Sequence, residues 1–459
     1  MTEPASPKIA VVGAGIVGVS CALHLQRLGA SVTMIDRQEP GGVDAASYGN
    51  GGVLARGSVV PVATPGILRK APSMLMSADG PLFMRWSYLP RLLPWLIPYL
   101  RSSKRESVEY IARNLAPLVF DSVDEHRALA QGTDAERWVR NCGYMFLYED
   151  QDAFERDAFG WGLRREHGFE WDTLQGDAIR EINPALSPNY GFAAVLKDHG
   201  MIANPGHYVR DLAKAFTGAG GDVIRANIKQ VEPGDDTIVL KTDGDDIQAD
   251  KVVIAAGAWS HFLAARLGAN VPLETERGYH LELTGANKQL SVPIMDAARK
   301  FVATPMNGAL RLAGVVEFGG LEAPASKGPE KLLMRGAKAL LPGLEFEAKR
   351  TWMGHRPAPA DSLPIIGPAP ASRDIYFAYG HHHVGLTAGP KTGRIVAQHV
   401  MGQQPNINIE AYRCDRFGAR SEPVNSQYRT QLVTPGLDPG VHGTHGDRGK
   451  HGLPDQVRQ

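Results

Sequence analysis

The chain has 459 residues, 43% of them hydrophobic and 21% charged, a composition that fits a folded globular protein and excludes a disordered or fibrous one. Its 49 Lys and Arg balance 49 Asp and Glu, so no net field draws it to nucleic acid, and no basic patch points to that partner class. Cys21, Cys142 and Cys414 lack paired spacing, which supplies neither a disulfide framework nor a zinc site and fits a reducing compartment.

Residues 8–36 carry the strongest local signal. An apolar strand over 9–12 leads into Gly13-Ala14-Gly15-Ile16-Val17-Gly18, a helix marked by Ala22, Leu23, Leu25 and Leu28, and a second strand that closes on Asp36. Gly13 allows the tight turn, Gly15 lets the backbone approach a pyrophosphate, and Gly18 lets the helix pack on the strand. The helix N-terminus adds free N–H groups and a positive dipole end, and the Asp36 carboxylate can accept hydrogen bonds from a ribose diol. With a strand before it and a helix after it, the turn is a dinucleotide site rather than a structural one. The loop 41–57, with Ser47, Asn50, Gly51 and Gly52, is too long and too glycine-rich for a plain connector and suits close backbone approach to a ligand.

Residues 82–100 are rich in aromatic and aliphatic side chains and are bracketed by Arg85, Arg91, Arg101, Lys104 and Arg105. Pro90, Pro94 and Pro98, with two internal arginines, argue against a membrane-spanning helix. The segment reads as an apolar wall of a substrate domain or a subunit contact, with an interfacial membrane surface as the competing reading. No secretory signal precedes the first strand, which makes the cytoplasm the default compartment, with peripheral contact at the inner face of the cytoplasmic membrane as the alternative. Helical periodicity predicts helices over 106–130, 152–167 and 208–219; strands follow over 222–231, 237–242 and 251–256. Strands over 279–283 and 310–316, a helix over 330–341, a strand leading to Trp352, a strand over 374–379 and a loop from Gly380 into a helix reaching about 401 complete the folded part. Apolar periodicity ends beyond about Phe417, residues 435–459 are dense in Gly, Pro, His and charge, and 417–459 is expected to be disordered.

Four segments stand in a telling order: the fingerprint at 8–36, Val252-Val253-Ile254-Ala255-Ala256-Gly257-Ala258-Trp259, Gly354-His355-Arg356-Pro357 with Asp361-Ser362-Leu363-Pro364, and Gly380-His381-His382-His383-Val384-Gly385-Leu386-Thr387. Together they resemble the FAD-dependent D-amino acid oxidase and dehydrogenase superfamily, over roughly residues 7–415, and most resemble its bacterial D-amino acid dehydrogenases, including D-hydroxyproline-oxidising members. The resemblance implies an α/β fold with a Rossmann-like, glutathione-reductase-like FAD-binding domain and a second, mixed-sheet α+β substrate domain. The FAD domain would comprise 7–85, 196–272 and 352–416, and the substrate domain 86–195 and 273–351.

The resemblance also implies non-covalent FAD, and no cysteine lies near Gly380 to attach it. Gly13, Gly15, Ile16, Val17 and Gly18 match the pyrophosphate turn, while Asp36 and Arg37 match the ribose end of the second strand. Ser47, Asn50, Gly51 and Gly52 match a loop beside the flavin, and Ile228 a strand whose backbone meets the adenine. Ala256, Gly257 and Trp259 match a second glycine turn; Gly380, Gly385, Leu386 and Thr387 match a loop and helix start facing the flavin pyrimidine, where a helix dipole can stabilise negative charge.

Oxidising an amino acid with FAD as hydride acceptor requires chiefly that the substrate be held in place, and an α-carboxylate calls for a planar bidentate donor. Arg356 matches the place where relatives keep such an arginine, with a structural ion pair as the competing reading and Ala358 and Ala360 where some relatives carry a second basic residue. His382 and His383 are candidates for lining the pocket or taking the amine proton. Consecutive histidines point to different sides, so a metal is not expected. Tyr279 or Arg277 stand as substrate-side candidates against ordinary strand roles, and Arg311 and Glu317 resemble a strand near the flavin, with ion pairing as the alternative. The expected substrate is a D-amino or D-imino acid, and the electron acceptor a quinone, another carrier or oxygen. Oxidation of a 2-hydroxy acid or secondary amine, and a non-catalytic FAD-binding subunit, remain the alternatives.

Overall fold

A computed structural model describes residues 6–67, 80 and 82–418. The tail expected to be disordered lies, from residue 419 on, outside the described residues. Two sheets organise the chain. The first has six strands in the order Ile365–Ala369, Ser372–Tyr379, Lys251–Ile254, Lys8–Val12, Ser31–Asp36 and Asp222–Arg225; all neighbours are parallel except the Ile365–Ala369 hairpin. Parallel strands covered on both faces read as continuous apolar runs, and Lys8–Val12 is buried from its second residue onward. Alternation along it sorts side chains into two cores. Ile9 and Val11 pack with helices Ile16–Arg27 and Gly385–Val400; Ala10 and Val12 pack with the three-stranded sheet of Gln230–Pro233, Ile238–Lys241 and Ile247–Ala249.

The second sheet has ten strands, mixed in direction, with Ala348–Pro359, Leu273–Thr284, Ala309–Phe318 and Phe301–Met306 side by side. Residues 352–359, expected in the FAD domain, pair in this sheet. In Leu273–Thr284 the pleat turns Tyr279, Leu281 and Leu283 into a core roofed by helix Gly328–Leu340. Glu276, Gly278, His280 and Glu282 are therefore presented on the other face. That division decides which side chains can meet a ligand.

Three expected elements differ in detail. The helix expected over 106–130 is two, Arg105–Val119 and Ser122–Ala130, broken at Asp121, whose carboxylate pairs with Lys391 at 2.6 Å. The helix over 152–167 is likewise split, into Gln151–Glu155 and Ala158–Glu166. The strand over 222–231 also divides, because the chain leaves the six-stranded sheet after Arg225 and enters the small sheet at Gln230. Ile228 consequently sits in the connection, not in a strand.

The proline-rich segment forms strand Leu82–Met84 and the helix Leu89–Arg101. Leu92, Trp95 and Tyr99, spaced three and four apart, face inward, whereas Pro90 and Pro94 lie on the exposed side with Leu93 and Ile97. The carbonyls of Pro90 and Pro94, which lose their helical donors to Pro94 and Pro98, are on that watered side, and the helix persists. Among the described residues no helix is long and apolar enough to cross a membrane.

Candidate active site

The first part of the site is a cradle of turns at the ends of the parallel strands. Gly13 has φ of 108°, a conformation that side chains rarely adopt, and a Cβ there would stand 2.5 Å from the Ala255 carbonyl oxygen. The turns at 13–18 and 255–257 therefore touch. A Cβ on Gly18 would meet the Gly13 carbonyl oxygen at 1.9 Å, so the helix Ile16–Arg27 can pack this tightly only on glycine. Its N-terminus carries Gly15 as cap with no capping side chain, and no acidic residue occupies its first turn. The Ile16 N–H donates to Ser47 Oγ at 3.0 Å, and the Ala14 N–H donates to Asp36 Oδ2 at 2.7 Å. Arg37 lies over the Trp259 ring at 4.0 Å, so two residues separated by most of the fold share one rim.

The loop 41–57 is pinned against the ten-stranded sheet. The Tyr48 and Asn50 carbonyls accept from Arg311 Nη1 at 3.1 and 2.8 Å, the Gly49 carbonyl accepts from His280 Nδ1 at 2.9 Å, and the Gly51 carbonyl accepts from Thr304 Oγ1 at 2.7 Å. Asn50 Oδ1 closes the turn by accepting from the Gly52 N–H at 2.9 Å. Arg311 is itself fixed by Glu282 at 2.6 Å, and burial holds the His280 imidazole neutral by pushing its pKa down to about 3. The helix Gly385–Val400 starts nearby, with Thr387 Oγ1 donating to the Val53 carbonyl.

That helix contains Pro390, which offers no N–H to the Leu386 carbonyl. His126 replaces the missing donor: its Nε2 donates to Leu386 O at 2.8 Å, and its Nδ1 accepts from the Tyr208 hydroxyl at 2.8 Å. Burial pushes the His126 pKa down to about 4, consistent with one nitrogen donating and the other accepting.

The second part of the site lies where Leu273–Thr284 and Ala348–Pro359 run side by side. Glu276 is opposite Arg356 in the register, and the Arg356 guanidinium lies over Gly278, where a Cβ would stand 2.4 Å from Cζ. Among the described residues its hydrogen bond is to the Val315 carbonyl at 3.1 Å, leaving most of a cationic fork without a partner. His382 Nε2 meets Glu276 Oε2 at 2.7 Å. Burial alone would raise the Glu276 pKa, but the contact with His382, and then Arg356, hold it below the ordinary carboxylate value. His383 is pushed down to about 3, chiefly by burial. Gly380 begins this loop with φ of 81°, and a Cβ there would meet Pro359 at 2.8 Å.

Helix Leu89–Arg101 covers the same region: Trp95 Nε1 donates to the Ala358 carbonyl at 2.8 Å, Tyr99 lies near enough to Glu276 to feel its charge, and the Tyr88 hydroxyl meets Glu274 at 3.1 Å. Tyr279 points elsewhere. It lies on the core face, and its hydroxyl donates to Glu317 while accepting from the Ser326 N–H at 3.0 Å. Glu317 also pairs with Arg277 at 2.9 Å, and Arg277 holds the Ala323 and Pro324 carbonyls. This buried network ties down the loop before helix Gly328–Leu340 and corrects the expectation that Tyr279 or Arg277 faces substrate; the pleat turns both away from Arg356.

A family model described as DAO, FAD dependent oxidoreductase, matches residues 8–399. The chain belongs to this FAD dependent oxidoreductase family. It is 41% identical to a D-amino-acid oxidase of Bradyrhizobium diazoefficiens over 90% of this chain and 100% of that protein. It is also 30% identical to a D-amino acid dehydrogenase of Paramagnetospirillum magneticum, over 89% and 99% of the two chains. Among solved structures, glycine oxidase from Geobacillus kaustophilus superposes with a TM-score of 0.69 at 21% identity, covering 90% of this chain and 99% of that one.

The oxidoreductase is thus an enzyme, and its cofactor is FAD. Its residues fit that group: a helix N-terminus without an acidic residue in its first turn could take the pyrophosphate, Asp36 at the end of the second strand could take the ribose, and a pinned glycine loop stands beside a second helix N-terminus. Glu276 and His126 are the polar residues that sequence reasoning missed. Glu274, Glu276 and Glu282 at alternate places of one strand are unusual for buried positions and are the signal that points to Glu276; nothing local marks His126, whose partner lies 260 residues away.

Proposed function

We propose that this flavoprotein oxidises a D-amino acid, or a D-imino acid such as a D-hydroxyproline, at its α-carbon, giving an imino acid that water hydrolyses to a 2-oxo acid. The observation that carries this reading is Arg356, a guanidinium set over glycine with most of its donors unengaged beside a histidine cluster. A planar fork of that kind holds a carboxylate in two parallel hydrogen bonds and fixes which face of the α-carbon is presented. FAD, when bound, supplies the acceptor for the α-hydride at N5. In this reading His382 and His383 take the amine side, and Trp95 and Tyr99, packed against Ala358 and near Glu276, exclude water. The names of the two relatives support the D configuration.

The proposed electron acceptor is a membrane quinone, reached through peripheral contact by the outer face of Leu89–Arg101. Leu93 and Ile97 are 44% and 49% exposed there, Trp86 in the turn just before it is 67% exposed, and Arg91 and Arg101 stand beside them. One experiment addresses both parts. The purified enzyme is mixed anaerobically with D-amino acids, L-enantiomers, hydroxyproline epimers, sarcosine and 2-hydroxy acids, and flavin absorbance is followed; the reduced enzyme is then given oxygen or quinone-bearing anionic vesicles. Bleaching by a D-amino or D-imino acid and faster re-oxidation by the vesicles are expected. Bleaching only by a hydroxy acid or by sarcosine, or none with a flavin that dithionite still reduces, overturns the substrate; faster re-oxidation by oxygen makes it an oxidase.

A further inference from the structure

We propose that Glu276 is the positioning residue for amine deprotonation: it fixes His382 in the tautomer with hydrogen on Nε2, so that Nδ1 takes a proton from the substrate ammonium. This rests on the amino-acid reading above and extends it to a residue outside the recognised motifs.

The two side chains are 2% and 1% exposed and meet at 2.7 Å. An ionised carboxylate only accepts hydrogen bonds, so the hydrogen between them belongs to Nε2, and in the neutral imidazole the lone pair is then on Nδ1. Nδ1 is buried and has no hydrogen-bond partner. A buried polar atom without a partner is rare enough to require an explanation, and an arriving amine supplies one. His382 also has φ of 49°, a left-handed conformation uncommon outside glycine, held by its N–H donating to the Pro357 carbonyl at 2.9 Å. Strain of this kind concentrates where a side chain must be aimed.

The charged and titratable groups around the pair come from every element packed on it. Glu274 stands on the same strand, with its own carboxyl engaged by the Thr275 N–H and the Tyr88 hydroxyl; Arg356 comes from the neighbouring strand, Tyr99 from the proline-rich helix, and His383 from the same loop. His381 turns away to Thr392 at 3.0 Å. His383 stays neutral beside the pair, so Glu276 and Arg356 are the adjacent full charges.

In the step itself an ammonium N–H bond breaks and an N–H bond forms on Nδ1. Glu276 remains a carboxylate, facing the imidazolium it stabilises, and the proton passes to water on product release. The amine lone pair thus exposed is what lets the α-carbon give up hydride, because an ammonium has none to share with the developing cation.

The test is the anaerobic rate of flavin reduction by a bleaching D-amino acid, followed from pH 6 to pH 10 in the wild type and in Glu276→Gln. The expected result is a deficit on the order of 10²-fold at pH 7 that narrows as pH approaches the ammonium's own pKa, where substrate arrives already neutral, with FAD content unchanged. A deficit of constant size across pH, or none, overturns the proposal. If Glu276→Gln loses FAD, Glu276→Asp carries the same test, with a smaller deficit that narrows or, if constant, counts against it. A wild type that no amino acid reduces overturns the substrate reading instead, which separates the two failures.

Discussion

Arg356 and Gly278 act as one device. The Gly-x-Arg-Pro motif marks the arginine, but the space for its guanidinium comes from a glycine on the adjacent strand, 78 positions earlier. A methyl group at 278 would sit 2.4 to 2.7 Å from Cζ and both terminal nitrogens, so the fork must swing away. Gly278→Ala is expected to keep its FAD, seen as an unchanged flavin to protein absorbance ratio. Its kcat/KM for the bleaching substrate should fall about 10²-fold, the usual cost of misplacing a positioning group by roughly an ångström. Unchanged kcat/KM would remove Arg356 from the substrate site. Arg356 was legible because a motif carries it. Glu276 was not, since its role depends on being opposite Arg356 in register and within reach of a loop 106 residues away.

At the level of elements, the helix Gly385–Val400 shows how a local defect becomes a long-range tie. Pro390 leaves the Leu386 carbonyl without its helical donor, and His126 from helix Ser122–Ala130 supplies one. His126→Leu strands that buried carbonyl, while the Tyr208 hydroxyl keeps only its 3.4 Å contact with the residue 126 carbonyl, and is expected to cost about 1–3 kcal/mol. Chemical denaturation checks this, and FAD affinity should weaken with it because Leu386 and Thr387 open the helix start proposed to face the flavin. Denaturation unchanged within error would mean that water satisfies the carbonyl instead. Sequence periodicity found this helix and its neighbours, yet missed the breaks at Asp121 and after Arg225, where long-range contacts meet the chain: the Lys391 ion pair at the first, a change of sheet at the second.

Across the whole molecule, many histidines are buried neutral. His126 is pushed down to about 4, and His199, His280, His381 and His383 to about 3, from an ordinary value of 6.5, in each case chiefly by burial. In the unfolded chain these imidazoles take up protons near pH 6.5, while the native protein refuses them until the pH is far lower. The unfolded state therefore binds more protons between about pH 6.5 and 4, and stability must fall as pH is lowered through that window. Urea unfolding at pH 7.5, 6.0 and 5.0 should give a steadily smaller unfolding free energy, with a slope of several protons; a flat profile over this range would show that these imidazoles do not stay neutral in the folded state.

The sequence by itself determined the two touching glycine turns proposed to cradle FAD, the helix that starts at Gly385 and the candidate carboxylate fork, because these depend on short-range chemistry: glycine where backbones must touch, apolar runs where strands are covered on both sides, a motif that keeps an arginine. Only the tertiary structure decided which face each strand residue occupies. It sent Tyr279 and Arg277 into a structural network with Glu317 and brought Glu276 to His382. It also laid the proline-rich helix over the site through Trp95 and Tyr99. The reason is physical: pleat and register are properties of paired strands, a single residue of offset reverses every side chain, and pairing joins residues whose distance along the chain carries no information about their distance in space.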